Sequence, residues 1–169
     1  MKKLYFSLLA SSLLFLSSCL KDNPAVDFNT VDTIIEILPV NGGGLENFDA
    51  AGLNFKPKAS IDSEIIVLNI ASKSPLSTTL TIKMGVNDNL RSSYNSANQD
   101  QYDKFPDSTF SFPVTSGKIA SGHRLDTMHV YFYPSKIDTT KSYMLPISIT
   151  DAQGKTISGN FSTIYFHTN

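Results

Sequence analysis

The sequence predicts an all-β fold, an immunoglobulin-like Greek-key β-sandwich of about seven strands. Apolar residues recur along the chain with a period of two, while helical periodicity is scarce. Turn-forming residues separate these runs at intervals typical of a sandwich. The 169 residues are 41% hydrophobic and 17% charged, with 9 Gly and 8 Pro, which suits one domain with a sizeable core. With no Trp and a single Cys, the antibody signature is absent, so the prediction is of architecture alone.

The first strand falls at 33–38, closed by Pro39 and the Asn41-Gly42-Gly43-Gly44 loop. Residues 64–71 follow, with Ile66, Leu68 and Ile70 on one face. In 78–84, Leu80, Ile82 and Met84 point inward, and Thr79, Thr81 and Lys83 outward. Residues 109–114 place Phe110, Phe112 and Val114 on one side, and 125–133 send Met128, Val130 and Phe132 one way. Residues 142–150 do the same with Tyr143, Leu145, Ile147 and Ile149. The Asp151-Ala152-Gln153-Gly154 turn then feeds a last strand at 158–166.

Residues 87–103 break the pattern. The stretch is polar, rich in Asn, Ser and Gln, and carries Tyr94 and Tyr102. Asn and Ser compete for backbone hydrogen bonds, so the expectation is a long loop with at most one helical turn.

The N-terminus reads as an address. Lys2 and Lys3 precede an apolar run, 4–16, that is too short to span a bilayer, as in a signal peptide. Leu16-Ser17-Ser18-Cys19 resembles the bacterial lipobox, in which the Cys is lipidated and the chain is cut before it. This divides the chain into a signal peptide at 1–18, lipidated Cys19 with its tether at 19–30, and a β-sandwich at 31–169. Several acyl chains at about 0.8 kcal/mol per buried CH₂ make such an anchor stable without a spanning helix. Lys21-Asp22, just behind the cysteine, is similar to the export signal of Bacteroidetes surface lipoproteins, which implies an outer-membrane protein facing outside. With no second cysteine, an internal disulfide is excluded.

Catalytic signatures are missing. The sequence has no Gly-x-Ser-x-Gly elbow, His-Glu-x-x-His pair or phosphate-cradling Gly-x-x-x-x-Gly-Lys. The three-residue steps of His123, Asp126 and His129 would gather them on a helix, but on a strand Asp126 and His129 face opposite ways. No spacing among the carboxylates selects a glycosidase pair. The formal charge of −1 lacks the basic stripe that nucleic acid requires. The chain is therefore expected to be non-enzymatic, with no metal, no cofactor and no nucleic-acid partner.

Binding candidates lie on the outward face of 125–133, where Thr127, His129, Tyr131 and Tyr133 alternate with the core positions. Such aromatic side chains stack on sugar rings or anchor protein contacts. The opposing expectation is that another segment covers this face, with 87–103 and its Tyr94 and Tyr102 the first choice. Asp32-Thr33-Ile34, Asp107-Ser108-Thr109, Asp126-Thr127-Met128 and Asp138-Thr139-Thr140 match the Bacteroidetes O-glycosylation pattern, and Thr139, in a loop, is the preferred acceptor.

Tyr94-Asn95-Ser96, Tyr102-Asp103-Lys104-Phe105-Pro106, Phe110-Ser111-Phe112, Gly117-Lys118-Ile119-Ala120-Ser121-Gly122 and Ser142-Tyr143-Met144-Leu145-Pro146-Ile147-Ser148-Ile149 occur in this order. Together they resemble a family of N-terminal domains of Bacteroidetes surface lipoproteins. The resemblance implies a β-sandwich behind a lipid anchor, ahead of endoglycosidase, lectin-like or lipocalin-like modules in polysaccharide-utilisation systems. It supplies no catalytic or binding residues. The expected function is a glycan-binding or spacer module, with polysaccharide or another surface lipoprotein as partner. The alternatives are an assembly module docking on another envelope protein, or a truncated accessory domain of a larger glycoside hydrolase.

Overall fold

The computed structural model describes residues 32–38, 49–53 and 60–168. Asp32–Asn169 forms one compact unit. Cys19, the signal and tether segments and the 41–44 glycine loop lie outside the described residues.

Two sheets form the immunoglobulin-like sandwich. The strands are β1 (Ile34–Leu38), β2 (Asp49–Gly52), β3 (Asp62–Ala71), β4 (Leu80–Val86), β5 (Asp103–Lys104), β6 (Phe110–Ser111), β7 (Ser116–Ile119), β8 (Leu125–Phe132), β9 (Tyr143–Asp151), β10 (Thr156–Ile157) and β11 (Thr163–His167). The first sheet has the order β10-β1-β3-β8-β6, the second β2-β11-β9-β4-β7, with β5 alongside β9. The predicted strands are all represented, and the short β2, β5, β7 and β10 join them.

The core is built from one parity of each long strand. Ile35 and Ile37 of β1, Ile66, Leu68 and Ile70 of β3, and Met128, Val130 and Phe132 of β8 face Leu80, Ile82 and Met84 of β4, Leu145 and Ile147 of β9, and Ile164 and Phe166 of β11. Phe132 and Phe166 bridge the sheets with ring centroids 5.7 Å apart. Phe105, fully buried, packs against Phe132 and Tyr143 at 5.5 Å each.

Three expectations are corrected. Residues 87–103 are not mainly loop: Asn89–Asn98 forms a ten-residue helix, α1. Tertiary contacts override its weak propensity. Arg91 bonds the Asp88 carboxylate at 2.9 Å and the Tyr102 carbonyl at 2.9 Å. The Asn95 side chain donates to Tyr102 O at 3.0 Å and accepts from Tyr102 N–H at 3.1 Å, so the returning chain clamps the helix.

The expected strand at 109–114 ends at Ser111, and Val114 is exposed rather than aligned with Phe110. Pro113 has no N–H to continue a ladder, and the chain there leaves the first sheet for the second. The expected last strand at 158–166 likewise begins only at Thr163. Ser158–Ser162 bends between β10 on the first sheet and β11 on the second.

Pro146 is tolerated inside β9 for a specific reason. The N–H it lacks would point at Asn87, where β4 has ended, while its carbonyl still accepts from Asn87 N–H at 2.9 Å.

Candidate functional site

The outward face of the first sheet is set by the register of β3 and β8. Ser63 lies opposite Tyr131, Ile65 opposite His129 and Val67 opposite Thr127. Alternation is strict along β8: Met128, Val130 and Phe132 are buried, whereas Thr127 and His129 are exposed and Tyr131 is half-buried. Ile65, beside His129, is 40% exposed, unusual for so large an apolar side chain.

The His129 and Tyr131 rings lie 6.1 Å apart and nearly parallel, at 17°. Ser63 Oγ is 3.2 Å from His129 Nδ1, which fixes the imidazole over the sheet. Tyr133, just past the end of β8, is half-buried and carries the Lys136 ammonium 4.6 Å from its ring centroid. One face of Tyr133 is thus committed to a cation–π contact.

A groove of about 310 Å³ runs along the free side of β8, lined by Pro113, Val114, Gly117, Lys118, Met128 and Tyr131 among others. It lies between β8 and β7, where the chain crosses from one sheet to the other. Its floor is drawn together by Asp126, whose Oδ2 accepts the Lys118 main-chain N–H at 2.7 Å.

Tyr94 and Tyr102 belong elsewhere. They sit over the second sheet with Tyr165 and His167, at centroid distances of 5.3 Å for Tyr94–Tyr165 and 5.3 Å for Tyr102–His167. Tyr102 Oη lies 3.3 Å from His167 Nδ1. Met144, Pro146 and Tyr165, which face away from the inter-sheet core, are buried on the side where α1 meets β9. Burial raises the pKa of the Tyr94, Tyr102 and Tyr165 phenols, which are packing groups here. The 87–103 segment thus covers the outer face of the second sheet, not the His129–Tyr131 face.

Beside it lies a polar cleft of about 510 Å³ lined by Arg91, Asn95, Asp100, Tyr102, Asp103 and Lys141 among others. Three of its charges are already matched, Arg91 with Asp88 at 2.9 Å, and Lys141 with Asp103 at 3.4 Å. The hydrogen bonds from Arg91 hold the Asp88 carboxyl below the usual carboxylate range.

Thr139 is exposed in the turn after the 3₁₀ segment Pro134–Lys136. The Asp138 carboxylate accepts from Thr140 N–H at 3.0 Å and Oγ1 at 2.7 Å, leaving Thr139 at the tip. Among the described residues no group of three His, Cys, Asp or Glu side chains is placed to hold a metal ion.

Sequence reasoning missed the groove because β7 is short and carries a glycine where a strand would show an apolar residue. Gly117 is a packing position: a Cβ there would lie 2.5 Å from Leu68 Cδ1 and 3.0 Å from Asp126 Oδ2. The Gly117, Ile119 alternation was the available signal.

The chain is similar to several solved structures from Bacteroides. A candidate carbohydrate-binding protein of Bacteroides ovatus shares 18% identity over 72% of this chain and 36% of its own, with a TM-score of 0.59. A Bacteroides ovatus protein of unknown function aligns at 13% identity over 80% and 46%, with a TM-score of 0.66. EndoBT-3987 of Bacteroides thetaiotamicron, solved with a Man5GlcNAc product, aligns at 14% identity over 71% and 28%, with a TM-score of 0.53. The chain spans between 28% and 46% of the length of these proteins, and at such identities the likeness is one of fold. No curated protein matches it. The model of a family described as a "-like, N-terminal domain" matches residues 41–156. That match takes in most of the β-sandwich, and the chain belongs to this family of N-terminal domains.

Proposed function

We propose that this chain is a non-catalytic glycan-binding module, lipid-anchored through Cys19 on the outer membrane and turned outward, and that its sugar platform is the His129–Tyr131 face. The observation that carries this reading is the near-parallel ring pair on β8, His129 exposed and Tyr131 half-buried, on the sheet face that α1 does not cover. Aromatic rings with polar edges present the apolar face that a pyranose ring stacks on, and Ser63 and Thr127 supply hydroxyls beside them. The fold likeness to a candidate carbohydrate-binding protein and to EndoBT-3987 supports a glycan context. Leu16-Ser17-Ser18-Cys19 supports the anchor.

The test is a retention screen of residues 20–169 against host and plant polysaccharides, by affinity electrophoresis. Retention on one polymer class is expected, lost at least tenfold in Tyr131→Ala and weakened less in Tyr133→Ala, whose ring is already occupied by Lys136. Retention unchanged in Tyr131→Ala, or no retention on any polymer, overturns the reading.

A further inference from the structure

Among the described residues, the groove along β8 holds a sheet edge with no strand paired to it, and its geometry defines what would fill it. Ile70 N–H donates to Arg124 O at 2.8 Å, so in the antiparallel register the main-chain groups of Arg124, Asp126, Met128 and Val130 face β3. Those of Leu125, Thr127, His129 and Tyr131 therefore face the other way. Tyr131 meets Ser111 of β6, and Tyr133 N–H continues that ladder to Thr109 O at 2.9 Å. Beyond that point β6 has ended. Among the described residues, no hydrogen bond reaches the main-chain N–H or C=O of Leu125, Thr127 or His129 on this side.

Three features restrict the occupant. The open stretch, Leu125 to His129, is five residues long, and an extended backbone matches its repeat of donors and acceptors at every second residue. The edge lies in a groove of about 310 Å³ that Pro113, Val114 and Ser116 to Lys118 line together with Thr127 and His129. Exposed apolar side chains flank it, Val114 at 56% and Leu125 at 53%.

We infer that the β8 edge is a strand-addition site for an extended segment of a partner polypeptide, about five residues long, with apolar side chains at alternate positions. The segment continues the line that β6 abandons at Phe112 and hydrogen-bonds to Leu125, Thr127 and His129. Main-chain bonding supplies the attachment, and the Val114 and Leu125 contacts select the sequence. This site uses backbone in the plane of the sheet. It adjoins the glycan platform, whose His129 and Tyr131 side chains also line the groove.

The experiment pans residues 20–169 with a phage-displayed library of random dodecapeptides, then measures the enriched peptide against the domain. Enrichment of period-two apolar sequences is expected. On binding, the Thr127 and His129 amides should slow in hydrogen exchange at least tenfold, while those of Met128 and Val130, already bonded to β3, change little. Thr127→Pro removes one outward N–H and places a ring in the path of the strand, so the affinity should fall at least tenfold, whereas Thr127→Val retains it. Because the exchange measurement uses the unaltered protein, it decides the matter even if Thr127→Pro fails to fold. Peptides that bind without protecting Thr127 and His129 overturn the inference. So does a library with no enrichment, or edge protection that rises with protein concentration alone, the mark of a second copy.

Discussion

The main-chain N–H of Lys118 donates to Asp126 Oδ2 at 2.7 Å, so a side chain of one sheet completes the hydrogen bonding of the outermost strand of the other. Asp126→Ala should cost about 1 kcal/mol, the net worth of such a bond at a solvent-accessible site. Asp126→Asn keeps an acceptor and should lose less. Urea unfolding checks this, with a lower midpoint and an unchanged slope expected for Asp126→Ala.

Gly117 of the second sheet packs against Leu68, Asp126 and Met128 of the first. Gly117→Ala places a methyl against Leu68 Cδ1, 2.5 Å from the ideal Cβ, and should destabilise by about 1–3 kcal/mol. Leu68→Val removes the colliding carbon at the cost of a small cavity. The double variant should lose less than the two single losses combined, a coupling that a double-mutant cycle in urea measures directly.

Glu64 takes the inward parity of β3, ahead of Ile66 and Leu68, and is half-buried opposite Val130. Burial first, and the neighbouring charge of Asp62 second, raise its pKa above the ordinary 4.5. A carboxyl raised on folding contributes stability that is complete below its unfolded pKa and is lost as the pH climbs through the folded value. Glu64→Gln removes the buried charge. Its Tm should exceed that of the parent at pH 7, and the gap should close towards pH 4.

The Tyr94–Tyr165 contact fastens α1 to the second sheet. Tyr94→Ala should cost about 2 kcal/mol, less than a fully buried aromatic because the ring is half-exposed. Tyr102→Phe loses only the hydroxyl beside His167 and should cost about 0.5–1.5 kcal/mol. In Tyr94→Ala the α1 amides should lose exchange protection while those of β3 and β8 keep theirs, because the helix is no part of the inter-sheet core.

The long strands were legible because burial on one face writes itself as alternation. Ile66, Leu68 and Ile70 show it, as do Met128, Val130 and Phe132. The His129 and Tyr131 face followed from the same parity. The helix was not legible, because what holds Asn89–Asn98 is Tyr102 returning from several residues downstream, and local propensity carries no trace of that return. Nor was the placement of Tyr94 and Tyr102. An aromatic in a polar stretch looks alike whether it meets a ligand or, as here, the back of β11. The open edge of β8 was hidden for a related reason: it depends on where β6 stops, and two-residue strands leave no periodic mark.

The position of β11 has a consequence for timing. It lies between β2 and β9, and immediately after it Thr168 is buried, its Oγ1 accepting Tyr143 N–H at 2.8 Å. β1, at the other end of the described chain, pairs with β10 through Ile34 and Thr156. Neither sheet can be completed from a nascent fragment, and contacts so distant in sequence form slowly. A polypeptide emerging from its N-terminal end would therefore complete the sandwich only once β11 is available to pair with β9 and β2.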